Sequence, residues 1–551
     1  MVAVVVGFLL MAPHVRMFAN EPNRYFSFWG RGDAAAFGLI FILLGTLFFL
    51  AYEGVRRLGG RWMQRCANAV FVLVVCVAVI ALLRSEATSH GAWARWMSAG
   101  VVLVAGVGAL GAVAVLIRRG PTVRIARALC LIVTPIVPLV LVQMFSYPAF
   151  SVAHEVMPPA EPQAKLASAA PRSSVFVFVF DGCSPERLLY DRDVREAMPN
   201  LAKLLEQATV YDDAHSVYSQ TFRSLPGMLF ETADTYTLTN GGLYFQKTGG
   251  DLEPVTARRS LFQKMRELGY GTYMVGWCHP YRRMLSDVAD YCYSYPFELG
   301  SAEAGRVDRH IVRHLWQGFV TLAGALPLPD SLRWRVNALT AVGDEAEFAN
   351  DRATAIHQAG LSILRRAGQP TFGFFHYPVP HAPYVFCRTG LSPEAHRRYP
   401  LEFSEVHDGL SRPDPENHVA RYRGNLDYLD TLLGEALDAL RSTGAFDDSM
   451  IVLTADHGWR VDPLHDGLCV EHHVSLGEIA SFDPPLPELT HVPLIVKFPG
   501  QRRPAHVAEP FSLADLGSLI RSSIHGGLPR DELADATPAM PTIGPAHAEQ
   551  Q

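Results

Sequence analysis

Apolar residues in this chain follow two regimes. As far as Tyr147 they form long unbroken runs; beyond it they come in short runs separated by amphipathic stretches. Long runs near Ala34–Val55, Cys66–Leu83, Met97–Ile117 and Ala128–Tyr147 each approach the roughly 20 helical residues that cross a hydrocarbon core of about 30 Å. Val2–Pro13 is shorter. It reads as an imperfect first helix, giving about five spans, because a cleaved signal peptide would need a basic leader and a small-residue cleavage site. From Ser173 onward the pattern changes. Ser174–Phe180 is a continuous apolar run ending at Asp181-Gly182, as expected of a buried parallel strand. Gly271–Val275, Thr371–His376, Met450–Thr454 and Val492–Phe498 are further strands, Leu201–Glu206 opens a helix, and Arg421–Leu440 has the spacing of a long one. Alternating strands and helices predict a mostly parallel sheet covered by helices. The expected fold is therefore an α-helical membrane anchor of about five transmembrane helices followed by an α/β domain.

Charge orients the anchor. Arg56, Arg57, Arg61 and Arg65 follow the Ala34–Val55 run, and Arg118, Arg119, Arg124 and Arg127 follow Met97–Ile117. The loop between them holds only Arg84 and Arg95, and the first loop Arg16, Arg24 and Arg31. The basic loops stay cytoplasmic, so everything after Tyr147 is expected outside a bacterial inner membrane, on the periplasmic side. Glu53 lies near one end of its run, and Pro135 and Pro138 break another without a charge nearby. Transport pathways use intramembrane ionisable groups, so these helices read as an anchor. Composition agrees: of 551 residues, 49% are hydrophobic and 19% charged, and a net charge of −6 argues against a nucleic-acid surface. The expected divisions are an anchor over 1–150, a Pro-rich linker over 151–172, a catalytic domain over 173–525 and a disordered tail over 526–551. The eight cysteines form no CxxC pair; Cys66, Cys76 and Cys130 fall in apolar runs, and Cys278 with Cys292 is a candidate disulfide.

Polar residues at strand ends carry the candidate chemistry. Asp181 follows the first strand, Asp456 and His457 follow another in LTADHGW, and His376 ends a third, with His381 beyond it in HYPVPHAPY. Carboxylates and imidazoles together suit Zn²⁺ or Mn²⁺ better than Mg²⁺ or Ca²⁺. In SQTFRSLPGMLF (219–230), Thr221 precedes an apolar helix start. A Thr hydroxyl becomes a useful nucleophile when a divalent cation lowers its pKa, and a helix N-terminus favours an anionic phosphoryl group. The competing role for Thr221 or Ser224 is a plain N-cap.

The order of Asp181, MPNL, TFRSLPGML, HxxxxHAPY, NLDYLDTLLGEAL, LTADHG and HVPLIVKFPG resembles the alkaline phosphatase–sulfatase superfamily. It is most similar to the membrane-anchored branch of phosphoethanolamine transferases and lipoteichoic acid synthases. The resemblance spans about Ser173 to Gly500. It implies an alkaline phosphatase-like fold and one divalent metal held by Asp181, Thr221, Asp456 and His457. Thr221 is the implied nucleophile, His381 contacts the substrate phosphate or leaving group, and His376 shares that pocket. His465, His472, His473 and His491 fall where some relatives place a further histidine. Ligands for a second metal are not evident. Sulfatases oxidise a Cys or Ser to formylglycine, whereas threonine would yield a ketone without an aldehyde hydrogen. HAPY in turn departs from the SHGP-like string of the phosphoethanolamine transferases. The expectation is a phosphotransferase that moves a head group from a membrane lipid to an envelope glycan or to water. A sulfatase-like ester hydrolase and a non-catalytic scaffold of this fold are the alternatives.

Overall fold

A computed structural model describes residues 31–69 in the N-terminal part and, beyond them, 173–234, 236–239, 242–246, 251–285, 288–295, 344–366, 370–393, 415–459 and 487–525, with a few single positions besides. Helix α1 (Arg31–Leu58) contains Ala35–Arg57, the one segment among the described residues long and apolar enough to cross a membrane. Its Leu47, Phe49 and Leu50 are exposed, as lipid-facing positions are. Among the described residues, one of the five expected spans is present. The Met97–Ile117 and Ala128–Tyr147 runs, most of Cys66–Leu83 and of Val2–Pro13, the linker and the tail lie outside the described residues.

The apolar runs of the second regime build one eight-stranded sheet. Its strands are β1 (Val175–Phe180), β2 (Thr209–Tyr211), β3 (Gly271–Trp277), β4 (Tyr291–Tyr295), β5 (Thr371–Tyr377), β6 (Met450–Ala455), β7 (Leu494–Lys497) and β8 (Ala505–Val507). Their order is β8-β2-β7-β6-β1-β5-β3-β4. Only β7 runs against its neighbours; every other pairing is parallel. The mostly parallel α/β fold stands. Every residue of β1, β5 and β6 is buried, which is why those segments lack polar alternation. Rings pair across the register: Phe178 stacks on Phe375 at 5.2 Å and Phe180 on Tyr377 at 5.3 Å.

Three long helices complete what the site needs. These are α2 (Thr221–Phe230), α3 (Asp344–Leu364) and α4 (Pro415–Ser442). In α2, Gly227 lies so close to Val217 that a Cβ there would meet its side chain at 2.9 Å, so a larger residue would push the helix and Thr221 away. The expected Cys278–Cys292 disulfide is absent. Met274 pairs with Cys292 and Trp277 with Tyr295, so Cys278 lies four positions further along its strand direction than Cys292's partner. At about 3.3 Å per residue that offset exceeds the span of a disulfide.

Candidate active site

The parallel strands β1, β5 and β6 are adjacent, so their C-terminal ends release their loops on one edge of the sheet. Asp181 leaves β1 with its backbone N–H still donating to Tyr377 O at 3.1 Å. Its side chain is fully buried. Gly182 follows at φ 68°, and a Cβ there would sit 3.4 Å from His457; glycine suits both the left-handed backbone and the close approach. Asp456 Oδ1 accepts N–H groups from Gly182 at 3.1 Å and His457 at 3.0 Å, which aims Oδ2 into the pocket.

Thr221 is the first residue of α2, and the N-cap is Gln220. The N-cap role considered for Thr221 is thus occupied by its neighbour, and Ser224 is fully buried within the helix. Thr221 Oγ1 lies 3.3 Å from Asp181 Oδ2 and 3.4 Å from His457 Nε2.

Three imidazoles converge on Asp181. His457 Nε2 is 3.4 Å from Oδ1, His381 Nε2 is 4.0 Å from Oδ1, and His376 Nε2 is 3.5 Å from Oδ2. Each has its other nitrogen against a backbone carbonyl: His457 Nδ1 on Gly458 O at 2.7 Å, His381 Nδ1 on Ala382 O at 2.8 Å, His376 Nδ1 on Trp277 O at 3.1 Å. Carbonyls only accept, so in the neutral rings Nδ1 carries the proton and Nε2 presents a lone pair to a carboxylate. Asp181 Oδ1, Asp456 Oδ2 and His376 Nε2 are buried without a hydrogen bond. Lone pairs facing each other in a dry pocket call for a cation. Asp181, His381 and His457, and likewise Asp181, His376 and Asp456, have donor atoms within 4.8 Å of one another. The residues fit a divalent ion with mixed N and O donors.

His376 is completely buried, whereas the His381 side chain is 17% exposed. His491 lies apart from this cluster, paired to Glu186 Oε1 at 2.8 Å. His465, His472 and His473 are outside the described residues. The end of β3 and the segment after it are an addition: Trp277 lies 5.8 Å from the His381 ring, edge to face, and fully buried His279 sets Nε2 3.2 Å from Thr221 O. Burial pushes the His279 pKa down to about 3, so it is a neutral donor to that carbonyl. The strand-end rule that singles out Asp181 and Asp456 applies here too, one residue pair beyond the Val275 boundary drawn from apolarity.

A family model described as Sulfatase matches residues 174–521. The multifunctional alkaline phosphatase superfamily protein PehA of Trinickia caryophylli is 26% identical over 223 residues, covering 33% of this chain and 40% of that protein. The chain thus spans well under half the length of the curated relative it matches. Among solved structures, the phosphonate monoester hydrolase SpPMH from Silicibacter pomeroyi aligns with a TM-score of 0.40 and 19% identity, covering 67% of this chain and 78% of that one. Ps i-CgsB, solved with k-i-k-neocarrahexaose, aligns at 0.39 and 15% identity, covering 64% and 72%.

Proposed function

Because the chain belongs to the sulfatase family, whose model covers most of its length, we propose that it is a metal-dependent enzyme acting on phosphate esters. Its finer role is a membrane-anchored phosphotransferase. The observation that carries this reading is Thr221 at the start of α2, with Oγ1 3.3 Å from Asp181 and 3.4 Å from His457. Asp181, Asp456, His457 and Thr221 would hold one divalent ion, zinc or manganese by donor type. When bound, that ion lowers the pKa of the Thr221 hydroxyl and offsets charge on the phosphoryl oxygens.

The Thr221 hydroxyl loses its proton to solvent, and Oγ1 attacks phosphorus while the bond to the leaving alcohol breaks. His381, the more exposed imidazole, is placed to give that alcohol a proton from Nε2 when it starts the cycle as imidazolium. An acceptor hydroxyl then attacks the phosphothreonine, returns a proton to His381 and frees Thr221. The N–H groups at the start of α2 favour the anionic group throughout. Helix α1, as an anchor, would keep the site beside lipid donors, with a phosphoethanolamine- or phosphoglycerol-like head group as cargo and an envelope glycan as acceptor. A hydrolase releasing product to water is the second reading, favoured by the family match itself; threonine at the nucleophile position weighs against formylglycine-dependent sulfate chemistry.

The test is mass spectrometry of the full chain after incubation with membrane lipids, alongside turnover of bis-aryl phosphate and aryl sulfate. We expect a head-group mass on Thr221 and phosphodiester turnover. Thr221→Ala should lose at least about 10³-fold in kcat with its fold intact. Wild-type-like turnover in that variant would sink the mechanism, and sulfate turnover without a threonine adduct would favour the hydrolase.

A further inference from the structure

We propose that His376 is an additional donor to the ion held by Asp181 and Asp456, and that Tyr281 is the positioning residue that keeps it in register. The inference rests on reading the pocket as a metal centre.

The HYPVPHAPY string alone assigns His376 to the substrate's side of the pocket. Its surroundings point elsewhere. The side chain is fully buried, so a substrate entering past His381 does not meet it. Its Nδ1 is held twice, by Trp277 O at 3.1 Å and by the Tyr281 hydroxyl at 2.7 Å. The carbonyl takes the Nδ1 proton, and the hydroxyl oxygen shares it as a second acceptor. Nε2 is then bare, has no hydrogen bond, and faces Asp181 Oδ2 at 3.5 Å. Asp456 Oδ2, also without a hydrogen bond, completes a triangle whose donor atoms lie within 4.8 Å of one another. A lone pair pressed against a carboxylate in a dry pocket is repulsive unless a cation lies between them. A ring whose second nitrogen is fixed by outer hydrogen bonds is how proteins orient a ligating histidine.

The fold makes room for this arrangement. A Cβ on Gly276 would come within 2.8 Å of the Tyr281 ring and 2.9 Å of the His376 Cβ, so β3 carries glycine where the two side chains meet. Trp277 lies alongside His376, 24° from parallel with centroids 6.1 Å apart, and Arg352 covers the Trp277 ring at 4.0 Å. The imidazole is thereby hemmed against rotation. Tyr281 itself is anchored by its N–H on Ser294 Oγ at 3.1 Å.

The experiment uses the purified full chain in detergent, loaded with Zn²⁺ or Co²⁺. Affinity is measured by chelator competition and nitrogen ligation by X-ray absorption. We expect His376→Gln to lose one imidazole from the ion's shell. Tyr281→Phe should keep the ligand count and weaken affinity by about 10- to 100-fold. Apo-state unfolding temperatures of the variants should match wild type, since neither change opens a large cavity. Equal ligand count and affinity in wild type and His376→Gln would overturn the role of His376 while leaving the metal centre standing. A wild-type chain that takes up no ion would overturn the metal centre itself. If His376→Gln does not fold, Tyr281→Phe decides: wild-type affinity there overturns the positioning role.

Discussion

His491 and Glu186 illustrate how single residues tie the site loops together. Glu186 follows the β1 loop, His491 precedes β7, and His215, on the segment leading to Thr221, bridges to His491. Burial raises the Glu186 carboxyl, but its bond to His491 prevails and lowers it to about 2; the same bond raises His491 above its ordinary 6.5 against the effect of burial. A raised histidine contributes stability below its unfolded pKa and loses it as pH climbs through the folded value. A depressed carboxyl contributes above its unfolded 4.5 and loses it towards 2. The pair is therefore strongest between about pH 4.5 and 6.5. Thermal unfolding of wild type against His491→Gln should show the largest gap in that window and a shrinking one as pH rises past it. A pH-independent gap would mean the pair contributes nothing through charge. Residues such as Asp181, Asp456 and His457 were legible because polar groups directly after apolar strands stand out. His279 and Tyr281 were not: aromatic and histidine residues in a mixed stretch look like any loop until β3 aims them at Thr221 and His376.

At the scale of elements, β1 is the piece on which the others depend, flanked by β5 and β6 and buried along its length. Phe178→Ala would leave a cavity beside Phe375, costing about 3–5 kcal/mol, measurable as a lower urea midpoint with little change in the slope of the transition. A loss under 1 kcal/mol would mean the neighbouring rings collapse into the space. The apolar run that predicted β1 did so because a strand with both faces covered has no polar alternation to confuse it. The Val492–Phe498 run likewise held a strand, now bounded at Leu494–Lys497, but apolarity carries no direction, and β7 runs antiparallel. Short strands such as β2 and the edge strand β8, of three residues each, are below the length at which periodicity can be read.

For the whole molecule, the cation proposed for this pocket would couple to the fold. Asp181 and Asp456 are both fully buried, and without a cation between them their charges would lie in the interior uncompensated. Stripping divalent ions with a chelator should abolish turnover and lower the unfolding temperature, with recovery on adding Zn²⁺ or Mn²⁺. An ion at about 100 times its Kd stabilises by about 2.7 kcal/mol. Calorimetry that shows the same transition with and without chelator would count against a resident ion.

The sequence by itself determined the two-regime layout, the parallel α/β character and the strand-end carboxylates, because hydrophobic periodicity and loop chemistry are local properties. It also proposed a Cys278–Cys292 bond that strand register rules out, since register depends on how two separate segments pair. Only the tertiary structure decided that Nε2 of three histidines, one within β5 and two in the loops after β5 and β6, points at one carboxylate, and that Tyr281 and Trp277 stand behind one of them. Those facts depend on the stacking of β3, β5, β1 and β6 and on backbone carbonyls choosing each ring's tautomer, and neither is written in the spacing of residues along the chain.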